Sequence, residues 1–468
     1  MTLDPPGDEM AVSQRDLYFG CFSDVGRWGG ARAFANRLIA ASGQRGLSTL
    51  LLGVGSTAKE TEPGPSGVSE LNVSLPAAPL LWRVRSWRAI GQLRGHLRRL
   101  QPPRKAFVGL SMYWVVAAKR AWPHVPVVYK VPCLLHNCLP CTWPQRRLPT
   151  FWKRVELAGI RRAEHAAFKL ADLVLVPTES ARAEVLAFHP RARERVVVCG
   201  YGPEPRDVAE RSRQALRREL GFGEDALVFL AAGVCDLNKA FDWAIHELPA
   251  VDERGQLVIV GDGPERERLA QLAAELGVAR RVRFVGSQQD MEPWYAAADC
   301  VLSTSRYDMF PNTIQEGMCR GRPVVVPRHE PPDVFAGMAE VVEAAGGGLV
   351  YERGRPDALA ECLNQLVSNP ALRDALGRQA RSVAERRCQW GMVLDRILDV
   401  GVQRCSIRAR NASEGFTSAV PTGSNPPLAL RARSLTRDRA AARSIRRECA
   451  DSAAKPAGTT ASSETHSK

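Results

Sequence analysis

Short apolar runs alternate with helical patterns along most of the chain. Leu17 to Phe22 reads as a strand, and Ala33 to Ser42 carries apolar residues at helical spacing. Gly43 and Gly46 stop that helix, and Leu47 to Val54 returns as a strand. Between the first strand and the helix lies Gly26-Arg27-Trp28-Gly29-Gly30-Ala31-Arg32. Strand, Gly-rich turn, helix and strand form the repeating unit of doubly wound α/β folds. Further strand-like runs follow at Ala106 to Leu110, Pro126 to Val131, Leu173 to Val176 and Val196 to Val198.

A second series begins after Gly200-Tyr201-Gly202-Pro203, which reads as a linker. Its strands are Leu227 to Leu230, Leu257 to Val260, Val282 to Val285, Cys300 to Leu302, Val324 to Val326 and Gly348 to Tyr351. Two such series predict an α/β protein with two Rossmann-like, doubly wound domains facing across a cleft. The expected division is a disordered segment over 1–14, a first domain over 15–202 and a second over 203–377. A terminal helix over 378–403, part of a helical pattern from about Asp374 to Val402 that contains Trp390, would cross back to the first domain. The tail, 404–468, is rich in Ala, Ser, Arg, Thr and Pro. It offers too little apolar surface to offset the entropy of ordering and is expected to be disordered. Thr57 to Gly67 reads as an exposed loop. Leu81 to Leu100 is a basic amphipathic segment whose stripe is Val84, Trp87, Leu93, Leu97 and Leu100. It fits a crossover helix or a membrane-docking face.

Length agrees with more than one core, since 468 residues exceed what a single core holds. No apolar run reaches the roughly 18 to 20 residues that span a bilayer. Residues 1–14 contain Asp4, Asp8 and Glu9 and no apolar h-region, so no secretory signal is expected. Twelve cysteines stand mostly singly within apolar segments, as at Cys199, Cys300 and Cys319, and are expected to be reduced in a cytoplasmic setting. Of the net charge of +14, half lies in Gln403 to Lys468, with twelve basic and five acidic residues. The remaining excess suits an anionic small-molecule ligand or the inner face of an anionic membrane. The tail has one aromatic residue, Phe416, so no single-stranded nucleic-acid platform is expected.

The densest chemistry lies in Ser305-Arg306-Tyr307-Asp308-Met309-Phe310-Pro311-Asn312-Thr313-Ile314-Gln315-Glu316-Gly317-Met318, followed by Gly321-Arg322-Pro323-Val324-Val325-Val326. Two carboxylates stand eight positions apart across a Phe-Pro-Asn turn. The turn enters a helix, whose N-terminus presents unpaired N–H groups to an anion. Asn312 and Thr313 are also candidates to cap that helix. This segment resembles the retaining sugar-nucleotide glycosyltransferases of family 4, with the GT-B fold, over about residues 17 to 402. Other segments match in order: Gly233 with Lys239, Leu257 to Pro264 ending in Gly-Asp-Gly-Pro, Val282 to Gly286, and Trp294 to Asp299.

The resemblance implies transfer of a hexose-type sugar from a nucleoside diphosphate to a glycan, lipid-linked or small-molecule acceptor, with retention. It implies that Lys239 stabilises the leaving diphosphate, Glu316 binds the ribose and Asp308 lies near the donor sugar. Gly29, Gly30, Gly233, Phe310, Pro311, Asn312 and Thr313 would line the donor. Asp24, Arg27 and His136 are candidates on the acceptor side. The chain departs from the pattern at Val234, where the family has an Arg, and at Asp308, where it has a Glu. Those departures support an alternative, a nucleotide-sugar-binding or scaffold protein with impaired transfer. Cys133, His136, Cys138 and Cys141 have zinc-ligand chemistry, but their spacing fits no standard module. There is no Asp-x-Asp for a divalent ion. Neither a metal nor a cofactor is expected.

Overall fold

The structure, a computed structural model, describes residues 13–21, 30–55, 60–61, 69–74, 86–141, 149–200, 202, 210–331, 333–387 and 390–400. The expectations for 1–12, for most of Thr57 to Gly67 and for the tail lie outside these residues, as do Asp24, Arg27, Gly29 and Val84.

The first sheet contains β1 (Leu17–Gly20), β2 (Thr49–Gly55), β3 (Glu60–Thr61), β4 (Ser69–Ser74), β5 (Ala106–Gly109), β6 (Val127–Lys130), β7 (Leu173–Val176) and β8 (Val196–Val198). Their order is β3-β4-β2-β1-β5-β6-β7-β8, and every pairing is parallel except β3 with β4. Helices cover both faces, so its inner strands are apolar throughout instead of alternating. Tyr18, Phe107, Val127 and Val174 enter one core. Leu17, Phe19, Val108 and Val128 enter the other.

The second sheet contains β9 (Leu227–Ala232), β10 (Gly255–Val260), β11 (Val282–Gly286) and β12 (Cys300–Leu302). A separate pair, β13 (Tyr307–Asp308) with β15 (Phe335–Ala336), lies in the chain around β14 (Val324–Pro327). With β16 (Gly348–Tyr351), the second sheet runs β11-β10-β9-β12-β14-β16, all parallel. The expected pair of doubly wound sheets is therefore present.

The segment expected to cross back is helical over Pro370–Arg387 and again over 390–400. Trp390, Val393, Leu394 and Ile397 fill the core of the first sheet beside Phe19 and Leu38. Trp390 packs edge-to-face on Phe34 at 5.2 Å, and its indole N–H donates to the Gly202 carbonyl at 2.7 Å. The basic amphipathic segment forms the helix Ser86–Leu97. Leu93 and Leu97 of the apolar stripe, with Ile90, are buried against the first sheet, and Leu100 packs partly on the same core. Trp87 stays 39% exposed, with the Arg120 guanidinium 4.9 Å above its ring. Among the described residues no helix is long and apolar enough to cross a membrane.

Candidate active site

In an open α/β sheet, the crevice lies beyond the strand ends where the winding reverses. In the second sheet this point falls between β9 and β12. Gly233 follows β9 and Ser303 follows β12, so the Lys239 loop and the two-carboxylate loop leave the sheet side by side. The loops are stitched together. The Asn238 side-chain amide donates to the Tyr307 carbonyl and accepts from the Tyr307 N–H, both at 3.1 Å. Arg306 N–H donates to Asn238 O at 2.8 Å, and Thr304 Oγ1 donates to Lys239 O at 2.7 Å.

This stitching sets Lys239 Nζ 2.8 Å from Asp308 Oδ2. Burial disfavours the ammonium, but Asp308, helped by Asp236, outweighs it and holds the lysine above its ordinary range. The backbone is shaped for this placement. Gly233 has φ +149, and a Cβ there would meet Lys239 Cε at 3.0 Å. Ala240, next to the lysine, is left-handed at φ 50. A non-glycine residue in that region costs on the order of 1 kcal/mol and must be held by its surroundings. Lys239, Ala232, Ser303, Ser305 and Thr313 line a small cavity. Val234 is 55% exposed and brings no charge.

Glu316 lies on the helix Asn312–Cys319, whose N-cap is Pro311. Neither Asn312 nor Thr313 takes the N-cap position. Thr313 Oγ1 donates to Ala232 O at 3.3 Å, tying the helix start to the end of β9. Gly317 permits close packing on β12, since a Cβ there would stand 2.7 Å from Val301 Cγ2. Phe310 and Pro311 are buried, with the Arg387 guanidinium 5.4 Å from the Phe310 ring centre. Both Glu316 oxygens are engaged. Tyr295 Oη donates to Oε2 at 2.7 Å, and Arg37 donates to Oε1 at 2.9 Å. Burial, and then the Glu316 charge, push the Tyr295 hydroxyl well above its usual range, so it remains a donor. Arg37 comes from the helix Gly30–Gln44, packed on the first sheet, which begins three residues before the run read from the sequence.

The loop after β6 is arranged differently. His136 is buried, and its Nδ1 donates to Glu164 Oε2 at 2.5 Å while its ring lies tilted against Phe188, with centres 4.2 Å apart. Leu135 N–H donates to the other Glu164 oxygen at 2.6 Å. Cys138 lies on the same short helix, Leu135–Cys138. A hydrogen bond with Cys133, then burial, push its thiol up, with Asp308 and Asp236 adding to the effect. Burial raises Cys141 to about 11. Among the described residues, no group of three or more His, Cys, Asp or Glu side chains is gathered as for a metal ion. None of the nine described cysteines is joined in a disulfide.

Tyr307 ties this loop to the carboxylate loop. Its hydroxyl donates to Glu184 at 2.7 and 2.8 Å and accepts from Leu134 N–H at 3.2 Å. Asn238, Tyr295, Tyr307 and Arg37 were not singled out from the sequence. Tyr295 and Tyr307 lie in segments that carry the resemblance, but their partners are distant in the chain. Nothing local marks Arg37.

Two sequence families match the chain. Glycosyl transferase 4-like domain covers residues 29–202, and Glycosyl transferases group 1 covers 224–369. The lipopolysaccharide core biosynthesis glycosyltransferase LpsE of Rhizobium meliloti is 32% identical over 225 residues, 46% of this chain and 63% of its own length. The D-inositol 3-phosphate glycosyltransferase of a Nocardioides species is 31% identical, over 51% of this chain and 55% of its own. The matches thus span between about half and under two thirds of these curated relatives. Among solved structures, Anabaena HepE in complex with UDP and glucose aligns at a TM-score of 0.63 and 18% identity, covering 85% of this chain and all of HepE. WaaG, a glycosyltransferase involved in lipopolysaccharide biosynthesis, aligns at 0.62 and 20%, covering 84% and 99%. With sheets, crevice and both halves of the sequence in agreement, the chain has the GT-B fold and belongs to the group 1, GT4-like glycosyltransferase family.

Proposed function

We propose that this chain transfers a hexose-type sugar from a nucleoside diphosphate to a carbohydrate or lipid-linked acceptor, with the anomeric configuration retained. The observation that carries the reading is the Lys239–Asp308 pair at 2.8 Å, held beyond the switch point of the second sheet. A departing diphosphate gains negative charge, and a fixed cation beside a helix N-terminus lowers the barrier to its departure. In this reading Lys239 and the start of the helix Asn312–Cys319 meet the diphosphate. Asp308 orients the sugar, and Glu316, fixed by Tyr295, accepts from the ribose hydroxyls. The leaving phosphate takes the acceptor's proton, so no separate enzymic base is required. Gly29, Gly30 and Gly233 let backbone approach the phosphates, with Phe310 to Thr313 against the donor. Asp24, Arg27 and His136 belong to the acceptor side, His136 as a buried support of its loop. The division at 15–202, 203–377 and 378–403 assigns acceptor, donor and crossover roles.

HepE is described in complex with UDP and with UDP-glucose, and LpsE by lipopolysaccharide core biosynthesis. These descriptions support a nucleotide-sugar donor and a glycoconjugate product here. A cytoplasmic site of action, peripheral at the inner membrane face, follows from such a donor and a lipid-linked acceptor. Phe151 and Trp152, exposed and edge-to-face at 5.5 Å beside exposed Arg154, support that contact. The alternative of an impaired donor-binding protein draws on the uncharged, exposed Val234. The deciding experiment incubates the purified chain with single nucleotide sugars and a membrane-extract acceptor and follows release of the nucleoside diphosphate. Acceptor-dependent release that Lys239→Ala abolishes supports transfer. Tight donor binding without release favours the alternative.

A further inference from the structure

Each carboxylate of the loop holds one cation. Lys239 is on Asp308 at 2.8 Å and Arg37 is on Glu316 at 2.9 Å. The two partners of Glu316 are unequal. Tyr295 is 1% exposed and locked in the second core. The Arg37 side chain is 29% exposed, and among the described residues Glu316 is the one partner it holds. If ribose hydroxyls occupy Glu316, Arg37 is the group that can yield. Glu316 lies four residues into its helix, roughly 6 Å along the axis from Asn312 at 1.5 Å per residue. The released guanidinium is therefore about one helical turn from the helix end assigned to the diphosphate. Its planar fork suits phosphate oxygens, and it is the kind of group missing at Val234.

We propose that Arg37 is a donor-binding residue. It rests on Glu316 while the site is empty and passes to the diphosphate when the ribose takes its place, supplying from the first sheet the positive charge that position 234 lacks. The proposal rests on the donor-site reading above. It also makes the cleft sensitive to the whole nucleotide. Sugar-ring hydroxyls alone would compete with Arg37 for Glu316, whereas a nucleoside diphosphate offers the displaced cation a new partner.

The test uses the full chain and calorimetry with UDP, GDP, ADP and dTDP. The corresponding nucleosides are then measured by competition against whichever diphosphate binds. Arg37→Gln is expected to weaken the diphosphate by about tenfold or more, the range of a lost charge-assisted hydrogen bond. The nucleoside should be unchanged or bind more tightly, because Glu316 is freed. Arg37→Lys should recover part of the diphosphate affinity. Melting curves confirm that both variants fold. Parallel loss of diphosphate and nucleoside would show that Arg37 merely positions Glu316 and would overturn the proposal, as would no change in either. If the unaltered chain binds none of the four diphosphates, the donor-site reading itself falls, and this inference with it.

Discussion

Asp308 and Glu316 stand on one loop and the helix it enters, and each holds a cation at nearly the same distance, 2.8 and 2.9 Å. What the two pairs join is different. Lys239 reaches Asp308 from a neighbouring loop of the same sheet, with Asn238 and Thr304 binding the loops together. Arg37 reaches Glu316 from a helix packed on the other sheet. Relative movement of the two sheets leaves the first pair intact and breaks the second. The first pair is thus suited to chemistry that must be ready in advance, and the second to a contact that the donor can replace.

Removing the internal cation should have the largest effect. Lys239→Ala is expected to lower turnover by about 10²-fold or more, near 3 kcal/mol of transition-state stabilisation. Its melting temperature should change little. A rate unchanged at saturating donor would remove Lys239 from the reaction. Glu316→Gln should come next, weakening nucleoside diphosphate binding by roughly 1.5 to 3 kcal/mol as charge-assisted hydrogen bonds are lost. Calorimetry returning the same dissociation constant would end the ribose assignment and dissolve the contrast between the pairs.

Two smaller changes probe the tie beside Asp308. Tyr307→Phe removes the hydroxyl that meets Glu184 and the Leu134 N–H. It should cost about 1 to 3 kcal/mol of stability in denaturant melts, because buried groups lose their partner. A smaller loss would mean that the sheets are held together elsewhere, for instance where Glu340 accepts from the Glu179 and Ser180 N–H groups at 2.6 and 2.7 Å. Glu184 itself is raised, by burial first, against the lowering effect of Tyr307 and Asn137. Its folded form binds a proton more tightly than the unfolded chain does, so this contribution to stability is lost as pH rises from the ordinary glutamate range through the raised value. Glu184→Gln keeps an oxygen acceptor and should flatten that slope, an effect of about 1 kcal/mol or less. A melt series in which both proteins show the same pH slope would exclude Glu184 as its source.

The strands at the centre of both sheets were legible because both of their faces are buried. Ala106–Gly109 and Cys300–Leu302, each paired on both sides and fully buried, fall where the apolar runs lie. Ser69–Ser74 escaped because four of its six residues, Ser-Glu-Leu-Asn-Val-Ser, are polar, and it stands next to the edge of its sheet. The pairing of Tyr307–Asp308 with Phe335–Ala336 is too short for any periodicity to reveal. In the site, Lys239, Asp308 and Glu316 were marked by spacing and chemistry within one half of the chain. Arg37 was not, because its role arises from a contact 279 residues away. Nor did the spacing of the Cys133 to Cys141 cluster reveal that His136 turns to Glu164 while Cys138 pairs with Cys133. One sequence states which residues are near in the chain, and helix phase over so short a segment leaves their direction open.

The helix 390–400 also has a consequence for how the chain is made. The face of the first sheet formed by Leu17, Phe19, Leu51 and Val108 is covered in part by Trp390, Val393, Leu394 and Ile397. Those covering residues are synthesised roughly 190 residues after the last strand of that sheet, which at about 5 to 20 residues per second is a wait of some 10 to 40 s. During translation the first half of the protein therefore exists with an apolar flank uncovered, and the second half must emerge before the first is finished. Ribosome-bound chains stalled between the two points should expose that flank to chaperones, and synthesis past residue 400 should release them.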